Sequence, residues 1–153
     1  MTTTIGSPVW VDLAGPEHAE GLEQIYEGFL LHYGRPRRSV AAERDSLLGG
    51  DEQYAKGLAR IAELDDPEAI AVLAELIGLA SRGRAEHGDR ADDFALWAAT
   101  ARFLADRSGR EVYRTALLAL RDRGDRAPLE QLVADLELDR ERDAHRALAG
   151  PRG

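Results

Sequence analysis

Four histidines, His18, His32, His87 and His145, are the side chains of this chain whose charge changes nearest neutral pH. They lie far apart, and none stands in H-E-x-x-H, E-x-x-H or paired cysteine and histidine spacing, so no metal site is expected. Each reads as a surface or helix-end imidazole; His32, one turn from a helix C-terminus, is favoured there in its charged form. Carboxylates are plentiful, but Asp65-Asp66, Asp92-Asp93 and the alternation Asp135, Glu137, Asp139 fall at expected helix ends or on polar stretches, where capping and solubility account for them. Serine and threonine are scarce beyond the first four residues, and neither G-x-S-x-G nor a phosphate-binding glycine loop occurs. With zero cysteines, disulfide scaffolds, thiolate zinc sites and cysteine nucleophiles are excluded. No catalytic, cofactor-binding or metal residue is singled out.

Three other groupings carry enough charge or bulk to matter. Arg35, Arg37 and Arg38 form the densest positive spot in the first two thirds of the chain and are the candidate contact for a phosphate or an acidic partner. Glu75 and Arg102 are lone charges in two apolar runs, 69–80 and 94–105. Such charges must pair, escape along a narrow polar edge or serve a pocket, and the two are the candidate buried ion pair. Trp10 stands outside any amphipathic helix and is the candidate interface residue, expected to pack on another subunit or on the outside of its own bundle. Arg110, Arg114 and Arg121 stripe one helix face, where acids from the first hundred residues are the expected partners.

The elements that hold these residues follow from hydrophobic spacing. Residues 1–15 mix Thr, Gly, Ser and Pro with Val9, Trp10, Val11 and Leu13, an extended pattern expected to form an arm. Pro16 opens a helix that Leu22, Ile25, Tyr26, Phe29, Leu30 and Tyr33 carry to Gly34. Ser39 is expected to cap a short helix over 40–48, ended by Gly49-Gly50. Asp51 then caps another through Tyr54, Leu58 and Ile61, despite an interior Gly57 costing about 1 kcal/mol against alanine. Asp66, Pro67 and Glu68 give the clearest helix start, and the run 69–80 belongs in the centre of the core, closed by Ser81-Arg82-Gly83. A polar linker, 84–90, leads to the second apolar helix, with Phe94, Trp97, Ala101 and Leu104 as its stripe. Ser108 to Glu111 has the form of a capping box for a helix reaching Gly124, and Leu129, Leu132, Val133 and Leu136 repeat the spacing. The charged stretch 139–153 is expected to fray. The domain reading is therefore an arm over 1–15, one helical domain over 16–138 and a tail over 139–153. Its fold class is all-α, a compact bundle of six or seven helices, with stacked helical hairpins as second choice.

LDDPEAIAVLAELI (64–77) looks like the inner part of a HEAT-like hairpin, and 59–76 sets helix to helix against 101–120 at the spacing of two-helix repeats. WVDLAGPEHAEGLEQIYEGFLLHYG (10–34) resembles the first strand and first helix of the acetyl-CoA-dependent N-acetyltransferase superfamily. That resemblance implies an acyl-CoA cofactor cradled on a loop of the form R/Q-x-x-G-x-G/A. The nearest match is Arg121 to Arg126, with Gly124 in place and Arg126 where the family has Gly or Ala.

At 153 residues with 44% apolar side chains, the chain is one domain in size and rich enough for a core. No apolar run approaches the roughly 20 residues of a membrane helix, and the N-terminus lacks the pattern of a signal peptide, so a cytoplasmic protein that leaves membranes alone is expected. A net charge of −8 argues against nonspecific nucleic-acid binding. The reading that results is a protein–protein interaction or adaptor domain with a protein partner or a second copy of itself, without cofactors. The alternative is a small enzyme or ligand binder with a pocket between helices, a degenerate acyl-CoA-dependent N-acetyltransferase-like protein included.

Overall fold

Every element of the structure, a computed structural model, is helical: the described residues are 7–37 and 46–151, and no strand occurs among them. In chain order they are α1 (Val11–Ala14), α2 (Ala19–Tyr33), α3 (Ser46–Ala62), α4 (Pro67–His87), a 3-10 turn at Gly88–Arg90, α5 (Phe94–Ala105), α6 (Arg110–Arg123), α7 (Ala127–Val133) and α8 (Asp139–Ala149). The expected all-α bundle forms, with eight α-helices among the described residues in place of six or seven. The surplus comes from the two ends. The N-terminal stretch is not an extended arm from Val11 onward, because the Glu23 carboxylate accepts the backbone N–H groups of Val9 (3.0 Å) and Trp10 (2.5 Å) and fixes the entry into α1. The tail does not fray over 139–149, because Glu141, His145 and Ala149 share one inward face of α8. The strand implied by the acetyltransferase resemblance is missing: Val11–Ala14 is helical, and the described chain has no sheet to carry a pyrophosphate loop.

The core is built on α2 and α5. Leu22, Ile25, Tyr26, Phe29 and Leu30 of α2 and Trp97, Ala98 and Ala101 of α5 are all fully buried. α4 supplies Ala69, Leu73 and Leu76 but leaves Ile70 and Ile77 half-buried, so it flanks the centre. Its start is as expected. The Asp66 carboxylate accepts the Ala69 N–H at 3.2 Å, a cap typically contributing about 1 kcal/mol, with Pro67 in the first turn. The helix does not close at Ser81–Gly83: nothing approaches Gly83, and Arg84 is anchored one residue on, so the chain stays helical to His87. Nor does Ser108 cap α6. The Asp106 carboxylate takes the Ser108 N–H at 3.0 Å in a local turn, and Gly109 precedes the helix without a side-chain cap.

α3 joins α2 by close approach of backbones. A Cβ on Gly28 would stand 2.7 Å from the carbonyl oxygen of Gly50, and one on Gly57 would stand 2.9 Å from that of Gly21. Two glycines seven residues apart on each helix thus face each other in antiparallel register. That is why Gly49-Gly50 ends no helix and Asp51 caps none: Gly50 lies inside α3, where only glycine fits. Of the short helix expected over 40–48, residues 40–45 lie outside the described residues. Among the described residues, no helix is long and apolar enough to cross a membrane.

Candidate functional site

Where α4, α5 and α8 converge, a cleft of about 240 Å³ opens beside a chain of buried polar side chains. Arg84 reaches it from the last turns of α4, Asp93 from the residue before α5, and His145 from the inward face of α8; they are 6%, 7% and 6% exposed. The Asp93 carboxylate is gripped in two-pronged fashion by Arg84, Nε to Oδ2 at 2.9 Å and Nη2 to Oδ1 at 3.0 Å. Arg84 Nη1 donates to the Ala149 carbonyl at 2.8 Å, satisfying a free acceptor at the end of α8. His145 Nε2 lies 2.7 Å from Asp93 Oδ1, and its Nδ1 lies 2.6 Å from the Tyr26 hydroxyl, inside the core. Four helices are tied by one polar line.

Burial alone pushes the Asp93 carboxyl up, but the hydrogen bonds from His145 and Arg84, with the Arg84 guanidinium charge beside it, outweigh it and hold the pKa below the usual carboxylate range. An ionised Asp93 can only accept, so His145 Nε2 carries the proton, and in the neutral ring Nδ1 accepts from the Tyr26 O–H. Tyr26 is pushed well above its ordinary value by burial, the Arg37 charge lowering it in part, so the hydroxyl stays protonated and able to donate. The cleft mouth is lined by Phe94, Arg142 and Arg146. The Arg142 guanidinium lies 4.3 Å over the Phe94 ring.

The residues picked out by sequence lie elsewhere. Arg37 is buried and spent on its own fold: it pairs with Glu23 and, at 3.2 Å, with Glu27, and donates to the carbonyls of Ser7 and Glu23. Arg35 donates to the Ala147 carbonyl, and Arg38 lies outside the described residues. The expected anion contact is therefore not formed by Arg37, whose charge is neutralised internally. Glu75 and Arg102 do not meet. Glu75 faces Arg121 at 3.7 Å and Arg102 faces Asp106 at 3.6 Å, each on the narrow solvent-facing edge of its helix. Trp10 is no surface anchor, at 0% exposure. It packs inside the bundle against Tyr26, Phe94, Trp97 and His145 at 5.5 to 6.3 Å, because Glu23 holds its backbone there. The arginine stripe behaves as expected: Arg110 and Arg114 converge on Glu68, and Arg121 on Glu75.

Sequence reasoning missed all four members of the polar line. In the sequence pattern His145 falls in a tail, Asp93 at a solvated helix end, Arg84 in a linker, and Tyr26 in an apolar stripe. One signal was available: Glu141, Ala144, His145, Leu148 and Ala149 stand at i, i+3, i+4, i+7 and i+8, a helical face with a histidine at its centre. Among the described residues, no group of His, Cys, Asp and Glu is placed to hold a metal ion. No family model, no curated protein and no solved structure matches the chain.

Proposed function

We propose that the protein binds a small molecule in the cleft between α4, α5 and α8. The observation that supports this is the wall of that cleft: three ionisable side chains, Arg84, Asp93 and His145, buried side by side. Burying a charged pair costs several kcal/mol of desolvation, and an apolar packing of similar volume often does as well for stability, so a polar wall facing an opening supports recognition. Binding is favoured over catalysis because both ring nitrogens of His145 are engaged, leaving no free base for a reactant. At about 240 Å³ the cleft lies below the usual 300–1,000 Å³ of larger ligand sites and suits a molecule of about a dozen heavy atoms. A fragment screen by amide NMR tests it. Shifts clustered at 91–94 and 142–150 are expected, and a broad library that moves none of them would refute the reading.

A second reading, a protein-interaction or adaptor domain that self-associates, is supported by Leu47 and Leu48, adjacent on α3 and 66% and 72% exposed. Sedimentation of the wild type against Leu47→Ser/Leu48→Ser tests it; a wild type monomeric at high concentration removes it. In both readings we take the protein to be cytoplasmic and to leave nucleic acid alone, the net charge of −8 supporting the latter.

A further inference from the structure

We infer that the ligand of this cleft is a small organic monocarboxylate, its carboxylate held by Arg142 and its apolar body lying against Ala91, Ala149 and Pro151. The inference rests on the cleft being a ligand site, and it follows from counting which charges there are already answered. Arg84 and Asp93 neutralise each other across two hydrogen bonds. Asp92 turns to Arg126 at 3.6 Å. Arg146 has a loose partner in Asp143, 3.6 Å away, both side chains largely in solvent. Arg142 has no carboxylate partner among the described residues; its guanidinium lies over the Phe94 ring. A ring face attracts the cation but leaves its N–H donors to be met by something else, and a planar carboxylate meets two of them at once.

The same surroundings argue for one negative charge. Arg142 is the one cation of the cleft lining without a carboxylate partner among the described residues, and Arg146 is shared with Asp143. The loosely paired Asp92 carboxylate lines the cleft as well, so one free positive charge faces a ligand and a phosphate dianion would be only half answered. Asp93 also precedes α5 without capping it, its carboxylate drawn off to Arg84 and His145. The first-turn N–H groups of this twelve-residue helix therefore have no side-chain cap, and their partial positive charge adds to that of Arg142 at the cleft.

The test is an amide NMR titration of the full chain with benzoate, benzyl alcohol and inorganic phosphate, on wild type, Arg142→Gln and, as a control away from the cleft, Arg123→Gln. Benzoate is expected to move the amides of 91–94 and 142–150 saturably, with affinity reduced at least tenfold in Arg142→Gln and unchanged in Arg123→Gln. Benzyl alcohol or phosphate binding there as tightly as benzoate, or Arg142→Gln binding benzoate as wild type does, overturns the carboxylate inference while leaving the cleft a ligand site. Neutral fragments binding where benzoate does not has the same meaning. A cleft silent to every probe and to the fragment library removes both.

Discussion

Tyr26 and His145 stand 119 positions apart, and the hydroxyl of one meets Nδ1 of the other at 2.6 Å inside the core. The bond joins the middle of α2 to a helix whose sequence, taken alone, is too polar to fold, and with Asp93 fixing the proton on Nε2 it leaves Nδ1 as the acceptor of the Tyr26 O–H. Tyr26→Phe keeps the ring and removes the donor, stranding a buried acceptor. Urea unfolding should show a loss of about 1–3 kcal/mol. An unchanged midpoint would mean the two groups do not bond.

Breaking the pair at the other end should cost more. Asp93→Asn leaves the Arg84 guanidinium buried without its counter-charge, for an expected loss of about 3–5 kcal/mol. Replacing Arg84 and Asp93 together by Met and Leu should cost less than the two single changes summed. Additivity in that cycle would deny the coupling.

Acid stability follows from the same pairing and from Glu68. Hydrogen bonding from Arg110 first, then Arg107, holds the Glu68 pKa down from 4.5 to about 2, against burial. A carboxylate with a lowered folded pKa stabilises fully above its unfolded value, and that contribution is lost as pH falls through the folded one. Unfolding free energy should therefore decline between about 4.5 and about 2, and Glu68→Gln should flatten that limb. Asp93 acts in the same direction. An acid limb of equal slope in Glu68→Gln and wild type would exclude Glu68 as a source.

Two glycines should respond oppositely to one methyl group. At Gly28 a Cβ would press on the Gly50 carbonyl and the Tyr54 ring, so Gly28→Ala should destabilise by about 1–3 kcal/mol. At Gly78, inside α4 with nothing within 4 Å, alanine should stabilise by about 0.5–1 kcal/mol. Thermal melts of the two variants moving the same way would contradict the packing described for α2 and α3.

Trp10→Ala should behave as a core deletion, losing about 3–5 kcal/mol without a change in mass by light scattering. A dissociating oligomer with intact stability would restore the tryptophan to an interface.

The helices that were legible are those whose apolar period is unbroken. α2, α4 and α5 announce themselves through Leu22 to Tyr33, Ala69 to Ala80 and Phe94 to Ala105, because burial of a continuous face decides their structure locally. α8 and the join between α2 and α3 were not legible, for two separate physical reasons. His145 counts as polar in any pattern, yet it is buried once distant partners satisfy it, and Tyr26 and Asp93 are invisible as those partners until the chain has folded. Gly50 counts as a helix breaker, and Gly57 as a cost, until a second helix comes close enough to need them. The cleft needed all three of α4, α5 and α8, so no single stretch of sequence carried it.

α3 fully buries only two glycines and Ile61, with Tyr54 and Leu58 partly buried against the core. Beside the Gln24–Gln53, Arg60–Gln24 and His32–Asp51 hydrogen bonds at its edges, its hold on α2 comes from atom pairs at van der Waals distance where the backbones meet, and such attraction fades by a quarter to a half with a gap of only 0.5–1 Å. A helix attached that way has no half-docked state to rest in. Its amides should exchange with deuterium together, as one block and ahead of those of α2 and α5, marking α3 as the first cooperative unit to open.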